Sequence, residues 1–147
     1  MDFRKFLALA DRLAQGTSQA EWRTAISRAY YAAFHVAAER VEQMGFRVPR
    51  KTEQIHVYVA RRFGNAGIAN VSSAGSDLND LRTDRNRADY EKATVITAAN
   101  AADSVDIARR IIAVLDDLRK DAALSTQITE AIKKYERDVL KEATWRA

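Results

Sequence analysis

The segment TAISRAYYAAFHVAAER, residues 24–40, predicts a long helix with one continuous apolar face. Apolar side chains recur in and just before it at intervals of three and four residues, which is the spacing of one helical face. The predicted core face consists of Trp22, Ile26, Ala29, Tyr30, Ala33 and Ala37. Ser18 and Glu21 form a capping box, S-x-x-E, at the start of the helix. Gly45 follows its expected end, so the helix is predicted over residues 18–44.

Apolar periodicity and turn residues predict five further helices. Their expected ranges are 2–15, 52–63, 77–89, 93–122 and 125–145, with Ser76 capping the fourth helix of the chain and Ser125 or Thr126 the last. Residues 65–76, rich in glycine and serine, are expected to form a long loop. Long antiparallel helices with short turns predict an all-α fold, an up-down four-helix-type bundle over residues 1–122.

Residues 123–147 are expected to add a C-terminal amphipathic helix to the same domain. The apolar stripe of such a helix needs a partner surface. That surface is either the core of its own chain or another chain.

The composition of the 147-residue chain narrows the class of protein. Cysteine is absent, which excludes disulfides, thiolate nucleophiles and cysteine-ligated metals. One proline and five glycines argue against all-β and α/β folds, which need frequent turn residues. No apolar run has the length of a membrane span, and the charged N-terminus is unlike a signal peptide. We therefore expect a cytoplasmic helical protein that needs no membrane, metal or cofactor.

Positive charge is concentrated in one part of the chain. The net charge is +4, from 24 basic and 20 acidic residues, and residues 40–62 alone carry an excess of four positive charges. Seventeen of the basic residues are arginines, whose guanidinium offers a bidentate fork to phosphate or carboxylate. Two interpretations are open: the region attracts phosphate or nucleic acid, or it is a solvated arginine-rich surface.

A row of polar side chains borders the core face of the helix over residues 18–44. Ser27, Tyr31 and His35 follow one another at i, i+4 and i+8, with Arg28 beside them. These groups either form a hydrogen-bond ladder at a helix–helix or subunit contact, or they line a functional site.

A second polar row lies in LRTDRNRADYEK, residues 81–92. Arg82, Arg85 and Asp89 share one helical face at i, i+3 and i+7, and Asn86 and Tyr90 form the adjacent row. One interpretation is an Arg–Asp ion pair on a solvated face, which contributes little energy. The other is that two guanidiniums bind a phosphate while Asp89 holds Arg85 in place.

The two motifs together, SRAYYAAFH at residues 27–35 and RNRADY at residues 85–90, resemble the HEPN family of small helical proteins. The resemblance covers roughly residues 1–122. It implies a bundle of four or five helices that forms a homodimer. It also implies the functions found in the family, where many members are metal-independent ribonucleases of toxin–antitoxin or defence systems. Common partners in the family are a nucleotidyltransferase or an antitoxin protein.

The chain departs from the family pattern at one position. Active members carry an R-x(4–6)-H motif, and alignment on Arg85 and Asn86 places Tyr90 where the histidine is expected. An imidazole titrates near neutral pH, whereas a phenol, with a reference pKa near ~10, is a poor base there. Phosphate binding can therefore survive where cleavage fails.

The same Arg–His spacing occurs twice more. Arg28 and His35 lie two helical turns apart and are expected to share a face and line one groove. His56, which follows Arg50 at this spacing, is expected to be an ordinary surface or packing residue at the edge of a short helix.

Together with the resemblance, these patterns assign provisional roles. The catalytic candidates are Arg85, Tyr90 and His35; the phosphate or RNA ligands are Arg82, Arg85, Asn86 and Arg28; the supporting residues are Asp89, Tyr31 and Ser27. The first hypothesis is an RNA-binding HEPN-type protein that cleaves RNA without a metal. The alternative is a non-catalytic HEPN module that binds RNA, a nucleotide or a nucleotidyltransferase partner. A third reading is a structural helical oligomer that docks through its last helix.

Overall fold

Six α-helices make up most of the computed structural model, which describes residues 1–146 apart from the side chain of Thr52. In chain order they are α1 (Arg4–Ala14), α2 (Gln19–Gln43), α3 (Thr52–Gly64), α4 (Ala69–Tyr90), α5 (Ala98–Lys120) and α6 (Ala122–Tyr135), followed by a π-helical turn at Glu136–Leu140. The predicted all-α class is confirmed, as a helical bundle. Within residues 1–146 no helix is both long and apolar enough to cross a membrane.

Helix α2 lies at the centre of the bundle, where it packs against α1, α3, α4 and α5. Because neighbours surround it, its predicted core face and the alanines beside that face are buried. Five of the six predicted core residues are at most 2% exposed: Ile26, Ala29, Tyr30, Ala33 and Ala37. Half of the predicted capping box is present, since the Ser18 hydroxyl accepts the backbone N–H of Glu21 at 3.2 Å. The Glu21 carboxylate accepts the backbone N–H of Thr17, also at 3.2 Å, rather than that of Ser18. The sequence thus predicted both the start and the buried side of this helix.

The expected loop over residues 65–76 is wrong, because α4 already covers residues 69–76. Val71 is fully buried in this part of α4, and Ser76, expected as a helix cap, lies inside the helix. A Cβ on Gly75 would lie 2.2 Å from the backbone nitrogen of Gly64 at the end of α3. Only glycine permits that approach of two backbones. The small residues of this segment therefore serve close packing of α3 and α4 rather than a loop.

Helix α5 begins later than the expected residue 93, because its cap lies further along the chain. The Thr97 hydroxyl accepts the backbone N–H of Asn100, and the Asn100 side chain accepts the backbone N–H of Thr97, both at 3.0 Å. This reciprocal pair satisfies two N–H groups that a helix start leaves without partners. Residues 91–97 form the connection between α4 and α5.

The expected helix over residues 125–145 is wrong at both ends. Asp121, rather than Ser125 or Thr126, caps α6 by accepting the backbone N–H of Leu124 at 2.9 Å. The helical turns stop before Lys141, whose backbone is left-handed with a φ of 57°. At this point the chain reverses direction.

The reversed residues 142–146 lie beside the connection between α2 and α3. The backbone N–H of Arg47 donates to the carbonyl of Thr144 at 2.9 Å. The indole N–H of Trp145 donates to the carbonyl of Met44 at 3.0 Å. These contacts explain why Trp145, expected in a helix, is instead in extended backbone.

The apolar side of α6 is covered by its own chain. Helix α6 packs against α3 and α5, and its Ile128 and Ile132 are fully buried in the main core. Of the two partner surfaces left open by the sequence, the structure therefore shows the chain's own core.

Candidate functional site

Five rings from two helices meet beside α4 and form what we call the ring cluster: Tyr30, Tyr31, Phe34 and His35 of α2 with His56 of α3. The Tyr30 hydroxyl and Nδ1 of His56 are hydrogen-bonded, and both residues are buried. The His56 ring lies 4.2 Å from that of Phe34, centroid to centroid. Tyr31 and His35 are half-buried and lie at the outer side of the cluster.

His35 has a neighbour of its own. Its imidazole stacks on the ring of Phe3 with 3.9 Å between centroids and 17° between planes, and its centroid lies 6.0 Å from that of Tyr31. Phe3 precedes α1, so the N-terminal segment holds the orientation of His35.

Helix α4 adds the guanidinium of Arg85 to the ring cluster. Its Cζ lies 5.1 Å from the ring centroid of Tyr31 and 5.7 Å from that of Tyr30, within the range of a cation–π contact. Arg85 is 8% exposed, so the solvated-face interpretation is wrong for this residue. Nη1 of Arg85 lies 3.8 Å from Asp89, and Nε, which is buried, has no hydrogen-bond partner among the described residues.

Asp89 links α4 to α2. Its carboxylate accepts a hydrogen bond from the Ser27 hydroxyl at 3.4 Å and faces Arg85. Asp89 therefore lies beside both Arg85 and Ser27, and its role in supporting Arg85 stays a prediction. Ser27 belongs to a helix–helix contact, which is one of the two interpretations that its position in α2 left open.

Arg82 approaches the same cluster from one helical turn before Arg85. It is half-buried, and its Nε is a second guanidinium atom that is buried without a hydrogen-bond partner in residues 1–146. Within that range no carboxylate lies close enough to form an ion pair with it, whereas Arg85 has Asp89. Two guanidiniums and one carboxylate leave this region with an excess of positive charge.

The positive charge of Arg82 and Arg85 and the burial of the ring cluster shift the pKa values of the neighbouring groups. Burial, followed by the charges of Arg82 and Arg85, lowers the pKa of His56 to about 4. Burial raises the pKa of the Tyr30 hydroxyl above its ordinary value, although both guanidiniums oppose that rise. Burial also lowers the pKa of His35. At neutral pH the site therefore holds neutral imidazoles and an un-ionised phenol around cationic arginines.

Three of the predicted site residues make no hydrogen bond or ring contact with the ring cluster within residues 1–146. Tyr90 is 74% exposed, and Asn86 is exposed one turn before it. Tyr90 is five residues beyond Arg85, which turns it by about 140° around the helix axis. Arg28 lies with its Cζ 5.5 Å from the ring centroid of Phe6 in α1. The guanidinium of Arg85 thus contacts the phenol of Tyr31, which neighbours the imidazole of His35, and Tyr90 takes no part in this cluster.

His56 is the residue that the sequence interpretation undervalued. It is 4% exposed and hydrogen-bonded inside the cluster, while Arg50, its partner in the Arg–His spacing, is exposed. A signal was present in α3, because His56 precedes Val59 by three residues and Phe63 by seven. Both of those residues are buried in the structure, and His56 shares their side of α3.

The arginine-rich residues 40–62 do not form one solvated surface. Arg40 and Arg62 are buried, at 6% and 3% exposure, whereas Arg47, Arg50 and Arg61 are exposed. The excess charge predicted for this stretch is therefore split between the interior and the surface.

Comparison of the chain with family models, with curated proteins and with solved structures gives no match.

Proposed function

We propose that this protein is a cytoplasmic RNA-binding protein of the HEPN type, in which Arg85 and Arg82 hold a phosphate of the RNA backbone. The observation that carries the proposal is the Arg85 guanidinium, nine-tenths buried and with an Nε that has no partner within residues 1–146. A buried polar group without a partner costs about 1–3 kcal/mol. An anion that accepts hydrogen bonds from the guanidinium would remove this cost.

Phosphate is the anion that suits two arginines one helical turn apart. Guanidinium groups match phosphate oxygens with parallel N–H donors, and contacts to phosphate supply most of the affinity of proteins for nucleic acids. The pairing of Arg85 with Asp89 at 3.8 Å orients one guanidinium, and the charge of Arg82 is not balanced by an ion pair within residues 1–146. The pair therefore supports binding of one strongly negative group.

The rings beside the arginines favour a single RNA strand over a duplex. Unpaired bases stack on aromatic and histidine rings, which a base-paired helix does not allow. Tyr31 and His35 are half-buried and lie at the outer side of the ring cluster, where Tyr31 contacts Arg85 and His35 neighbours Tyr31. In this proposal they contact the base or ribose that follows the bound phosphate.

A second candidate function is metal-independent cleavage of the bound strand, and it is favoured by the position of His35. Its imidazole has a lowered pKa and lies beside Tyr31, which in turn contacts Arg85. In the reaction, His35 takes the proton of a ribose 2′-hydroxyl, the 2′-oxygen bonds to the adjacent phosphorus, and the bond between phosphorus and the 5′-oxygen breaks. The leaving 5′-oxygen takes a proton from water, and His35 returns its proton to the solvent. Tyr90 is not used, since it is exposed and turned away from Arg85.

The HEPN type carries further expectations about partners. We propose that the protein forms a homodimer and pairs with a nucleotidyltransferase or an antitoxin protein. If cleavage is absent, the protein acts as the non-catalytic module of such a pair.

The proposal predicts that Arg85→Gln weakens binding of a fluorescently labelled single-stranded RNA at least tenfold in an anisotropy titration with EDTA. Arg87→Gln is the matched control, because Arg87 lies on the same helix but is exposed and pairs with Glu91 at the surface. This control removes the same charge and should change the affinity no more than about twofold. Equal losses in the two variants would contradict the proposed site.

The wild-type and Arg85→Gln proteins, together with a His35→Gln variant, also test cleavage. Incubation of the RNA with wild-type protein in EDTA, followed by denaturing gel electrophoresis, should give fragments that His35→Gln and Arg85→Gln abolish. Intact RNA in the wild-type lane would exclude cleavage and leave the binding proposal in place.

A further inference from the structure

A groove with a volume of about 590 Å³ lies on the outer side of α3, next to the ring cluster. Its charged and aromatic lining consists of Glu53, Tyr58, Arg61, Arg62, Arg82 and Glu142. Arg82 thus belongs both to this groove and to the surroundings of Tyr30 and His56. The volume is in the range of pockets that hold small ligands.

Arg62, at the base of the groove, carries one positive charge but contacts two carboxylates. Its Nε and Nη2 donate to the same carboxylate oxygen of Glu136, at 3.1 and 2.9 Å, and Glu136 is 1% exposed. Its guanidinium also lies 3.7 Å from the ring centroid of Tyr58. The charge of Arg62 is therefore balanced inside the protein before Glu142 is considered.

Glu142 nevertheless places a second carboxylate on Arg62. Nη2 of Arg62 donates to it at 2.8 Å, and the Glu142 side chain is 51% exposed. This carboxylate lines the groove together with Arg61 and Arg82. The Glu142 carboxylate therefore occupies the position beside Arg62 that an anion from solution would take.

The backbone holds Glu142 at this position. Lys141 has a φ of 57°, a conformation that non-glycine residues rarely adopt and that surrounding contacts must stabilise. The backbone N–H of Glu142 donates to the carbonyl of Glu136 at 2.9 Å. The following residues are anchored beside the α2–α3 connection, so the position of the carboxylate is set by the fold.

The charges of the groove balance only while Glu142 is in place. Arg62 is neutralised by Glu136, which leaves Arg61 and Arg82 opposite Glu53 and Glu142. Arg61 and Glu53 are exposed, and neither forms an ion pair within residues 1–146. If Glu142 leaves Arg62, the groove gains a net positive charge.

We propose that the groove binds the RNA phosphate next to the one held at Arg85, and that Glu142 competes with that phosphate as a built-in occupant. This inference rests on the proposed RNA binding. It adds the path of the RNA strand, which passes through the groove, and the regulation of binding by Glu142. Arg82 is the shared residue, since it lies one turn from Arg85 on α4 and also lines the groove. Arg61 is the second ligand of the groove phosphate.

Two variants test the inference in the same anisotropy titration. Glu142→Gln removes the competing charge and should tighten binding of single-stranded RNA at least threefold. Glu130→Gln is its control: Glu130 is exposed, pairs with Lys133 at 3.2 Å on α6 and gives the same change in net charge. Arg61→Gln should weaken binding at least threefold, and Arg137→Gln, at an exposed position paired with Asp138, should not.

The outcomes separate the inference from the proposed function. If wild-type protein binds RNA in an Arg85-dependent way but Glu142→Gln and Arg61→Gln match their controls, the groove inference is overturned alone. If the wild-type protein does not bind RNA, the groove inference and the proposed function are both overturned. Should Glu142→Gln unfold, Arg61→Gln decides, because Arg61 is exposed and takes no part in the contacts that hold residues 142–146.

Discussion

Single residues in this protein acquire their chemistry from burial. Arg85 would be an ordinary surface cation on an isolated helix, yet here it lies against two phenol rings with one carboxylate nearby. His56 is next to the same arginines and inside the core. A buried cationic arginine and a neutral histidine are compatible because the histidine gives up its proton rather than add a second charge.

The pKa of His56 predicts a specific loss of stability in acid. The ordinary pKa of 6.5 applies to the unfolded chain and about 4 to the folded protein. Between those values the unfolded chain binds a proton that the folded protein does not, so the free energy of unfolding falls as the pH falls. The whole difference corresponds to about 3 kcal/mol.

Urea unfolding of wild-type protein and His56→Gln between pH 7 and pH 4 measures this loss. The wild type should lose about 3 kcal/mol more than the variant over the interval, since carboxylates contribute equally to both. If the free energy of unfolding falls equally with pH in the two proteins, His56 is not held neutral by its surroundings.

At the scale of helices, small residues decide how closely two elements approach. The α3–α4 contact depends on Gly75, where a Cβ would meet the backbone of Phe63 and Gly64. Gly64 is the opposite case, because a Cβ there would meet no atom within 4 Å among the described residues beyond its own stretch of helix. The spacing of α3 and α4 matters for the site, since these helices carry His56 and Arg85.

The two glycines give a matched pair of variants. Gly75→Ala should lower the free energy of unfolding by about 2 kcal/mol or more, because the clash is with backbone that cannot rotate away. Gly64→Ala should leave stability unchanged or raise it by up to about 1 kcal/mol, since alanine favours helix and fits the space. Thermal or urea unfolding of both variants checks this, and similar effects at the two positions would contradict the close packing of α3 and α4.

At the scale of the whole molecule, the two ends of the chain are tied to the bundle by long-range contacts. Glu136 accepts two hydrogen bonds from Arg62 and one, at 3.0 Å, from the backbone N–H of Thr144. It therefore joins α3, the π-helical turn and residues 142–146. At the other end, Phe3 stacks on His35.

Glu136→Gln should destabilise the protein by about 3 kcal/mol, because it leaves the buried guanidinium of Arg62 without its internal counter-charge. Glu130→Gln, which breaks an exposed ion pair, should change stability by less than about 1 kcal/mol. Chemical unfolding of the two variants gives the comparison. A loss below 1 kcal/mol for Glu136→Gln would mean that Glu142 alone can neutralise Arg62.

Helical periodicity in the sequence was enough to predict the all-α class, the buried face of α2 and the shared face of Arg82, Arg85 and Asp89. These properties depend on residues three, four or seven apart, which the regular helix brings together whatever the rest of the chain does. The HEPN-type function stays a prediction of the same local motifs. The hydrogen bond from the Glu21 backbone N–H to the Ser18 hydroxyl is also local and was predicted, whereas the Glu21 carboxylate accepts the N–H of Thr17 rather than that of Ser18.

Only the tertiary structure decided which polar residues are buried and what they touch. Tyr30 and His56 are 26 residues apart, Ser27 and Asp89 are 62 apart, and Arg62 and Glu136 are 74 apart. The same holds for Gly75, whose role depends on another helix, and for the reversal at Lys141, which the contacts of residues 142–146 stabilise. Burial and pairing are properties of surfaces that meet after folding, so residue patterns within one segment do not contain them.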